Sequence, residues 1–290
     1  MSTQDQDAVA IRRIHLQRVK HGLIHQLTDD VVAIEEPLQI SLQWFDSESG
    51  HSKQREWSMT MRTPGQDKDL VKGLLLTQQV ISSLQDVESI TYFDEDKRHA
   101  GNHLLVILKD HIQPDWQLLE RSYISQSSCG ICGVTSMRSL CLRRPVNVDQ
   151  QPGWLSVDSI LSMPEQLKDG QGLFAKTGAM HGAGYWVDHQ LVCVAEDVGR
   201  HNAVDKLLGQ IFSSSLWRPQ GVLVLSGRVS FELMQKAMIA GIAVIVSVGA
   251  PSSLAVDMAK QFDMTLVGFI KGDRFNIYNG HWRLQLPSST

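Results

Sequence analysis

Apolar and polar positions follow one rhythm in the first third of this chain and another in the last. Residues 1 to about 28 are mostly polar and are expected to be a flexible, loosely held segment. "VVAIEEPLQISLQWF" (31–45) and "REWSMTMRT" (55–63) read as strands joined by a polar, glycine-containing connection. "DKDLVKGLLLTQQVISSL" reads as a helix, with Leu70, Gly73, Leu74, Thr77 and Ile81 near one face. "ESITYFD" and "HLLVILK" add two more strands. The pattern therefore predicts an N-terminal α+β domain over residues 29–120.

"CLRRPVNVDQQPGW" reads as a loop, and "SVDSILSMPEQL" as a helix interrupted at Pro164. Beyond it the chain becomes regular. "LVCVA", "GVLVLS", "AVIVSV" and "TLVGFI" are apolar runs without alternation. Between them lie helical stretches, "HNAVDKLLGQIF", "SFELMQKAMIAG" and "SSLAVDMAKQF". Val204, Leu207, Leu208 and Ile211 recur at i, i+3, i+4, i+7, one helix face. Strands with no polar side, alternating with helices, predict a mostly parallel sheet covered on both faces. The fold class is α/β, with this larger domain over residues 121–290.

Ligands of open α/β sheets bind at the carboxyl ends of the strands. The loops leaving those ends are "EDVGRH", "SGRVS", "VGAPSS" and "KGDR", which carry Arg200, His201, Arg228, Lys271 and Arg274. Ser230 and Ser252 stand where they would cap the following helices. Basic side chains beside helix N-termini favour phosphate, with ordinary solvated turns as the bland alternative.

Net charge adds a restriction. Twenty-seven Lys and Arg against 31 Asp and Glu leave −4, so no global basic field exists for nucleic acid and any anion site is local. No run reaches the ~18 apolar residues of a membrane span, and the N-terminus has no secretory apolar core, so a cytoplasmic chain is expected. Four cysteines are too few for a disulfide framework, which fits a reducing compartment.

Two of those cysteines, Cys129 and Cys132, stand in "SQSSCGICGVTS". Thiolates in a Cys-x-x-Cys context are activated nucleophiles, and Gly130 and Gly133 leave room for a partner to approach. Zinc needs about four ligands, and neither a second Cys-x-x-Cys nor Pro-Cys-x-x-Cys is present, so no metal is expected. A thioredoxin-like site would need a strand just upstream, whereas "LLERSYISQSS" is polar. Redox cycling and sulfur carriage both stay open from the residues. His181 in "TGAMHGAGYW" reads equally as a site residue or a hydrogen-bonded structural histidine.

"EEPLQI", "MRTPGQD", "SSCGICG", "EDVGRHNAVDKLLG", "SGRVSFELMQKA", "GAPSSLAVDMA" and "GFIKGDRFNIY" together resemble the FdhD/NarQ family over residues 31–278. The resemblance implies a cytidine-deaminase-like α/β/α layer in the C-terminal part. It implies a sulfur carrier that accepts persulfide sulfur from a cysteine desulfurase. The sulfur goes to the molybdenum of the bis-molybdopterin guanine dinucleotide cofactor (Mo-bis-MGD) before insertion into formate dehydrogenase. It further implies Cys129 as the persulfide-bearing residue and Cys132 as its companion. The segment Phe269, Ile270, Lys271, Gly272, Asp273 and Arg274 would bind the cofactor, with GDP as a surrogate ligand. A homodimer is expected on the same ground. Readings outside the family are a thiol oxidoreductase and a non-enzymatic cofactor chaperone.

Overall fold

The structure, a computed structural model, describes residues 9–93, 101–117, 119 and 148–286. It opens with strands β1 (Ile11–Lys20) and β2 (Leu23–Ala33), paired antiparallel into a two-stranded ribbon. Much of the segment expected to be loosely held is therefore strand. The cross-strand pairing, including the His15–Asp29 contact at 2.6 Å, supplies order that single-strand hydrophobicity does not reveal.

Next come β3 (Glu36–Asp46), β4 (His51–Arg62), helix α1 (Asp67–Thr77), β5 (Val87–Tyr92) and β6 (His103–Leu108). The four strands form one sheet in the order β4-β3-β6-β5, with only β3 and β6 parallel. Leu38, Ile40, Leu42, Leu104 and Val106 of this sheet bury against Leu70, Leu74 and Leu75 of α1. The helix stops at Thr77 rather than running on toward residue 84. Gln79 takes a left-handed φ of 54°, and a capping box at Ser83 starts a new turn that feeds β5.

The second unit contains β7 (Leu155–Ser156), α2 (Val157–Gly170), α3 (Gly172–Thr177), β8 (His181–Val187), β9 (Gln190–Asp197), α4 (Arg200–Ser213), β10 (Val222–Leu225), α5 (Phe231–Ile239), β11 (Val244–Ser247), α6 (Ser253–Gln261), β12 (Thr265–Lys271), β13 (Arg274–Asn279) and β14 (Leu284–Gln285). Pro164 lies inside α2 without ending it. The lost backbone hydrogen bond is tolerated because Ile160, Met163 and Leu167, on both sides of the proline, pack on the sheet.

The main sheet runs β13-β12-β11-β10-β8-β9. Strands β10, β11 and β12 are parallel, as their fully apolar runs predict, whereas β8, β9 and β13 join antiparallel to their neighbours. The parallel part is thus smaller than the sequence reading had it. β8, "HGAGYWV", lacks a hydrophobic run of its own and is recruited by pairing with β9 and β10. α4, α5 and α6 cover one face with Val204, Leu207, Leu233, Ala237, Met258 and their neighbours. α2 covers the other, over Val222, Val224, Val244 and Val246.

The two units meet where α1 crosses α4. A Cβ on Gly73 would sit 1.9 Å from Asp205 O, and one on Gly209 would sit 2.0 Å from Asp69 O, so the backbones touch directly. α4 is therefore enclosed by the sheet on one side and α1 on the other. Its polar residues Asn202, Asp205 and Lys206 are buried together with its apolar stripe.

Candidate functional site

Strand pairing brings the expected loops to one edge. His181 at the start of β8 pairs with Asp197 at the end of β9. Ala183 pairs with Leu225 at the end of β10, and Leu225 with Ser247 at the end of β11. β12 lies next to β11 and ends in the hairpin to β13. The loops also interlock. Val229 bridges to Pro251, and Phe269 N–H donates to Gly249 O at 3.0 Å. A Cβ on Gly249 would lie 2.7 Å from Arg228 N, so only glycine lets these two loops press together.

Residues 269–274 form the tip of the β12–β13 hairpin. Lys271 pairs with Arg274 across Gly272 and Asp273, and Gly268 pairs with Asn276. Three steps along β12 thus face two along β13, which is a bulge. The extra residue drives Phe269 to φ 58°, unusual for a bulky side chain, and leaves the residue 51% exposed. Ile270 is buried and anchors the hairpin to the core, while Lys271, Asp273 and Arg274 are exposed. An exposed aromatic face beside two cations suits a planar, anionic ligand.

Behind the hairpin lies a second group of cations. Arg200 and His201 open α4, Arg228 follows β10, and His181 opens β8. His181 is half-buried; burial first, then the charges of Arg200, Arg228 and His201, hold its pKa below the usual 6.5, against a weaker pull upward from Asp197. His201 Nε2 lies 2.8 Å from Glu232 Oε2 and 3.2 Å from Ser230 Oγ. Both contacts use the same ring nitrogen, so the trio is not the relay of a hydrolytic triad, which needs both nitrogens. The hydrogen bond from His201 holds Glu232 below the ordinary carboxylate range. Ser252 caps α6 by accepting from Ala255 N–H, as its position predicts. Ser230 does not cap α5, because its hydroxyl turns to His201.

Several anchors beneath this edge are invisible to periodicity. Asp197 Oδ2 accepts from Thr63 N–H at 3.1 Å and lies 2.8 Å from Lys206 Nζ, while its Oδ1 accepts from Gly199 N–H at 2.8 Å. Asn202 donates to Met61 O at 2.7 Å. Arg62 is paired with Asp67 at 2.9 Å, and Lys236 with Asp205 at 2.8 Å, all four side chains buried. The available signal is charge inside "EDVGRHNAVDKLLG" at positions flanked by apolar residues. The contacts of Asn202 with Met61, Lys206 with Thr63 and Asp197 with Thr63 tie the β4–α1 junction to the start of α4, where Arg200 and His201 stand.

Cys129 and Cys132 lie outside the described residues. Among the described residues no three His, Cys, Asp or Glu side chains gather to hold a metal ion. No helix of the described residues is long and apolar enough to cross a membrane. Cys193, in β9, donates to Gln210 Oε1 and is pushed up to about 11 by burial. A cavity of about 630 Å³ between the end of α1, Phe212, Trp217 and the end of α5 is lined by no ionisable side chain.

The fold and this edge define a two-unit α/β protein with a cationic sheet margin and a strained aromatic hairpin. The sequence pattern of the FdhD/NarQ family matches residues 33–285, and the chain belongs to that family. Relatives named sulfur carrier protein FdhD include one from Nocardia farcinica, 39% identical over 90% of both chains. One from Mycobacterium tuberculosis is 38% identical over 90% of this chain and 95% of its own length. One from Sulfolobus acidocaldarius is 35% identical over 95% and 99%. The crystal structure of a proposed formate dehydrogenase accessory protein from Desulfotalea psychrophila has the same fold. Its TM-score is 0.69 at 24% identity, over 95% of this chain and 99% of that one.

Proposed function

We propose that this chain is a sulfur carrier in the maturation of formate dehydrogenase, acting as a sulfurtransferase toward Mo-bis-MGD. Family membership across residues 33–285 carries this reading, with the Cys-x-x-Cys retained inside that span. In the first step the Cys129 thiolate attacks the outer sulfur of a desulfurase persulfide. A new S–S bond forms at Cys129, the old one breaks, and the desulfurase thiolate leaves. The cofactor is the substrate of the second step. Turning the carried sulfur into sulfide takes an electron pair, which a cofactor arriving as Mo(IV) would supply in becoming Mo(VI), and Cys129 would return to thiolate. Cys132 serves as companion thiol.

The hairpin residues Phe269 to Arg274 hold a guanine nucleotide end of the cofactor. The Phe269 ring lies against the base, and Lys271 and Arg274 engage phosphate. Docking there raises the effective concentration of molybdenum at the loaded sulfur. Work in the cytoplasm and a homodimeric state complete the proposal.

Intact-mass measurement after incubation with a cysteine desulfurase and cysteine tests it. A gain of one sulfur atom that disappears in Cys129→Ala is expected, together with loss of formate dehydrogenase activation by that variant. Loss of two hydrogens would mark a Cys129–Cys132 disulfide, and an unchanged mass with tight cofactor binding a chaperone. Either would overturn the sulfur-carrier reading.

A further inference from the structure

The two units leave a gap between them at the amino edge of the main sheet, the cavity of about 630 Å³. Protein interiors keep few voids larger than a water molecule, and ligand pockets run from roughly 300 to 1,000 Å³, often where two units meet. One wall is the end of α1 and the turn that feeds β5. The other is the end of α4, Trp217 and the end of α5. Trp217 precedes β10 and Gly241 precedes β11, so the cavity lies at the amino ends of those strands. Both strands are four residues long, which sets the cavity at least about 10 Å from the loops of the carboxyl edge.

The walls decide what can enter. Leu84, Phe212, Trp217 and Ile239 line the cavity and are only partly buried. Trp217 Nε1 donates to Ala240 O at 2.9 Å, so the one polar atom of the indole is engaged and its ring offers apolar surface. The polar lining is uncharged, made of hydroxyls and amides such as Ser82 and Gln85. An ion entering would lose its water and gain no counter-ion. An anion would fare worst. The last turns of α1, α4 and α5 all border the cavity, and helix C-termini carry partial negative charge. A cation gains little from those turns, because their carbonyls are already in use. Leu75 O accepts from Val80 N–H at 2.9 Å, Ile211 O from Leu216 N–H at 3.1 Å, and Ala237 O from Ile242 N–H at 2.9 Å.

We propose that this cavity is a binding site for a compact, uncharged aromatic molecule. The aromatic rings of Phe212 and Trp217 supply the matching surface. The occupant bears on both units at once. Thr77, in the wall, donates to Asp205 Oδ1 of α4 at 2.9 Å and accepts from Lys236 Nζ of α5 at 3.1 Å. A ligand seated here therefore tightens the union of α1 with α4 and α5, far from the hairpin and its loops. It exists only in the folded chain, so its binding raises the melting temperature.

N-Phenyl-1-naphthylamine tests the site on the full chain, since it is uncharged at neutral pH and fluoresces strongly only in apolar surroundings. Its emission should saturate at one probe per chain. At about a hundred times its Kd it should raise the Tm by about 5–10 °C. Indole should displace it, whereas benzoate and benzyltrimethylammonium should need at least about tenfold higher concentrations. Ile239→Trp narrows the cavity, and Leu84→Glu places a carboxylate in its wall. Both positions are partly exposed, so both variants should keep the wild-type circular dichroism spectrum and a cooperative melt. Each should weaken probe binding about tenfold or more. Absence of saturable binding to the wild type would overturn the site. So would undiminished binding in either folded variant, which would place the probe elsewhere on the surface. Displacement by benzoate or benzyltrimethylammonium as readily as by indole would refute the uncharged ligand.

Discussion

Replacing Lys206 by Met tests whether a buried ion pair locks the start of α4 to the N-terminal unit. The Lys206 and Asp197 side chains are 2% and 0% exposed and 2.8 Å apart. Lys206 also donates to Thr63 O at 2.8 Å and to Glu196 O at 3.3 Å. Met nearly matches the lysine stem in volume, so little packing is lost and electrostatics decides the outcome. Removing one partner of a buried pair costs about 3–5 kcal/mol, because the remaining charge loses its counter-ion. Asp197 keeps donors from Thr63, Gly199 and Asn202, which offsets part of this. The orphaned Thr63 carbonyl adds about 1 kcal/mol. A net loss of about 3–4 kcal/mol is expected. At about 2–4 °C per kcal/mol for a chain of this size, the Tm should fall by about 6–16 °C in calorimetry. Combining Lys206→Met with Asp197→Asn, which retains an acceptor oxygen, should be less damaging than the sum of the single changes by at least about 1 kcal/mol. A single variant within about 1 kcal/mol of the wild type, or strict additivity, would refute the argument.

Other expectations follow from single positions. Phe269→Gly relieves a left-handed conformation worth about 1–2 kcal/mol but loosens the unfolded chain by a similar amount. Stability should therefore change by less than about 1 kcal/mol while GDP affinity falls severalfold; a larger stability loss would mean that the ring packs the fold. With the other three cysteines changed to Ser, Cys193, whose pKa is about 11, should react with iodoacetamide at pH 8 about two orders of magnitude more slowly than free cysteine. An equal rate would contradict the buried thiol. His181 has a folded pKa below 6.5, so the unfolded chain binds the proton first and stability falls as pH drops through and below 6.5. His181→Gln should flatten that slope in denaturant titrations, and an unchanged slope would show that the imidazole is not responsible.

Much of the second unit was legible because its strands are buried on both faces. "VLVL" and "VIVS" need no partner information to be read as inner strands, and the helices between them carry a clear apolar stripe. The loops at the strand ends were found by topology alone, since a parallel sheet has only one carboxyl edge. β8 was not legible, because its small residues become strand only through neighbours. The left-handed Phe269 was not legible either, because a bulge is a mismatch between two strands and neither shows it alone. The stop of α1 at Thr77 depends on where β5 must begin.

The sequence by itself determined the chemistry on offer: a Cys-x-x-Cys, four loops at the strand ends, three of them carrying basic side chains, and the family pattern that unites them. Only the tertiary structure decided how the described parts of that chemistry are held. It enclosed α4 between α1 and the sheet, burying Asp205 and Lys206 with the apolar stripe, and it paired Asp197 with Lys206 and Glu232 with His201. Periodicity assigns a residue to one face of one element. Burial and charge balance depend on what the other elements bring to that face, and that is set by contacts far apart in the chain.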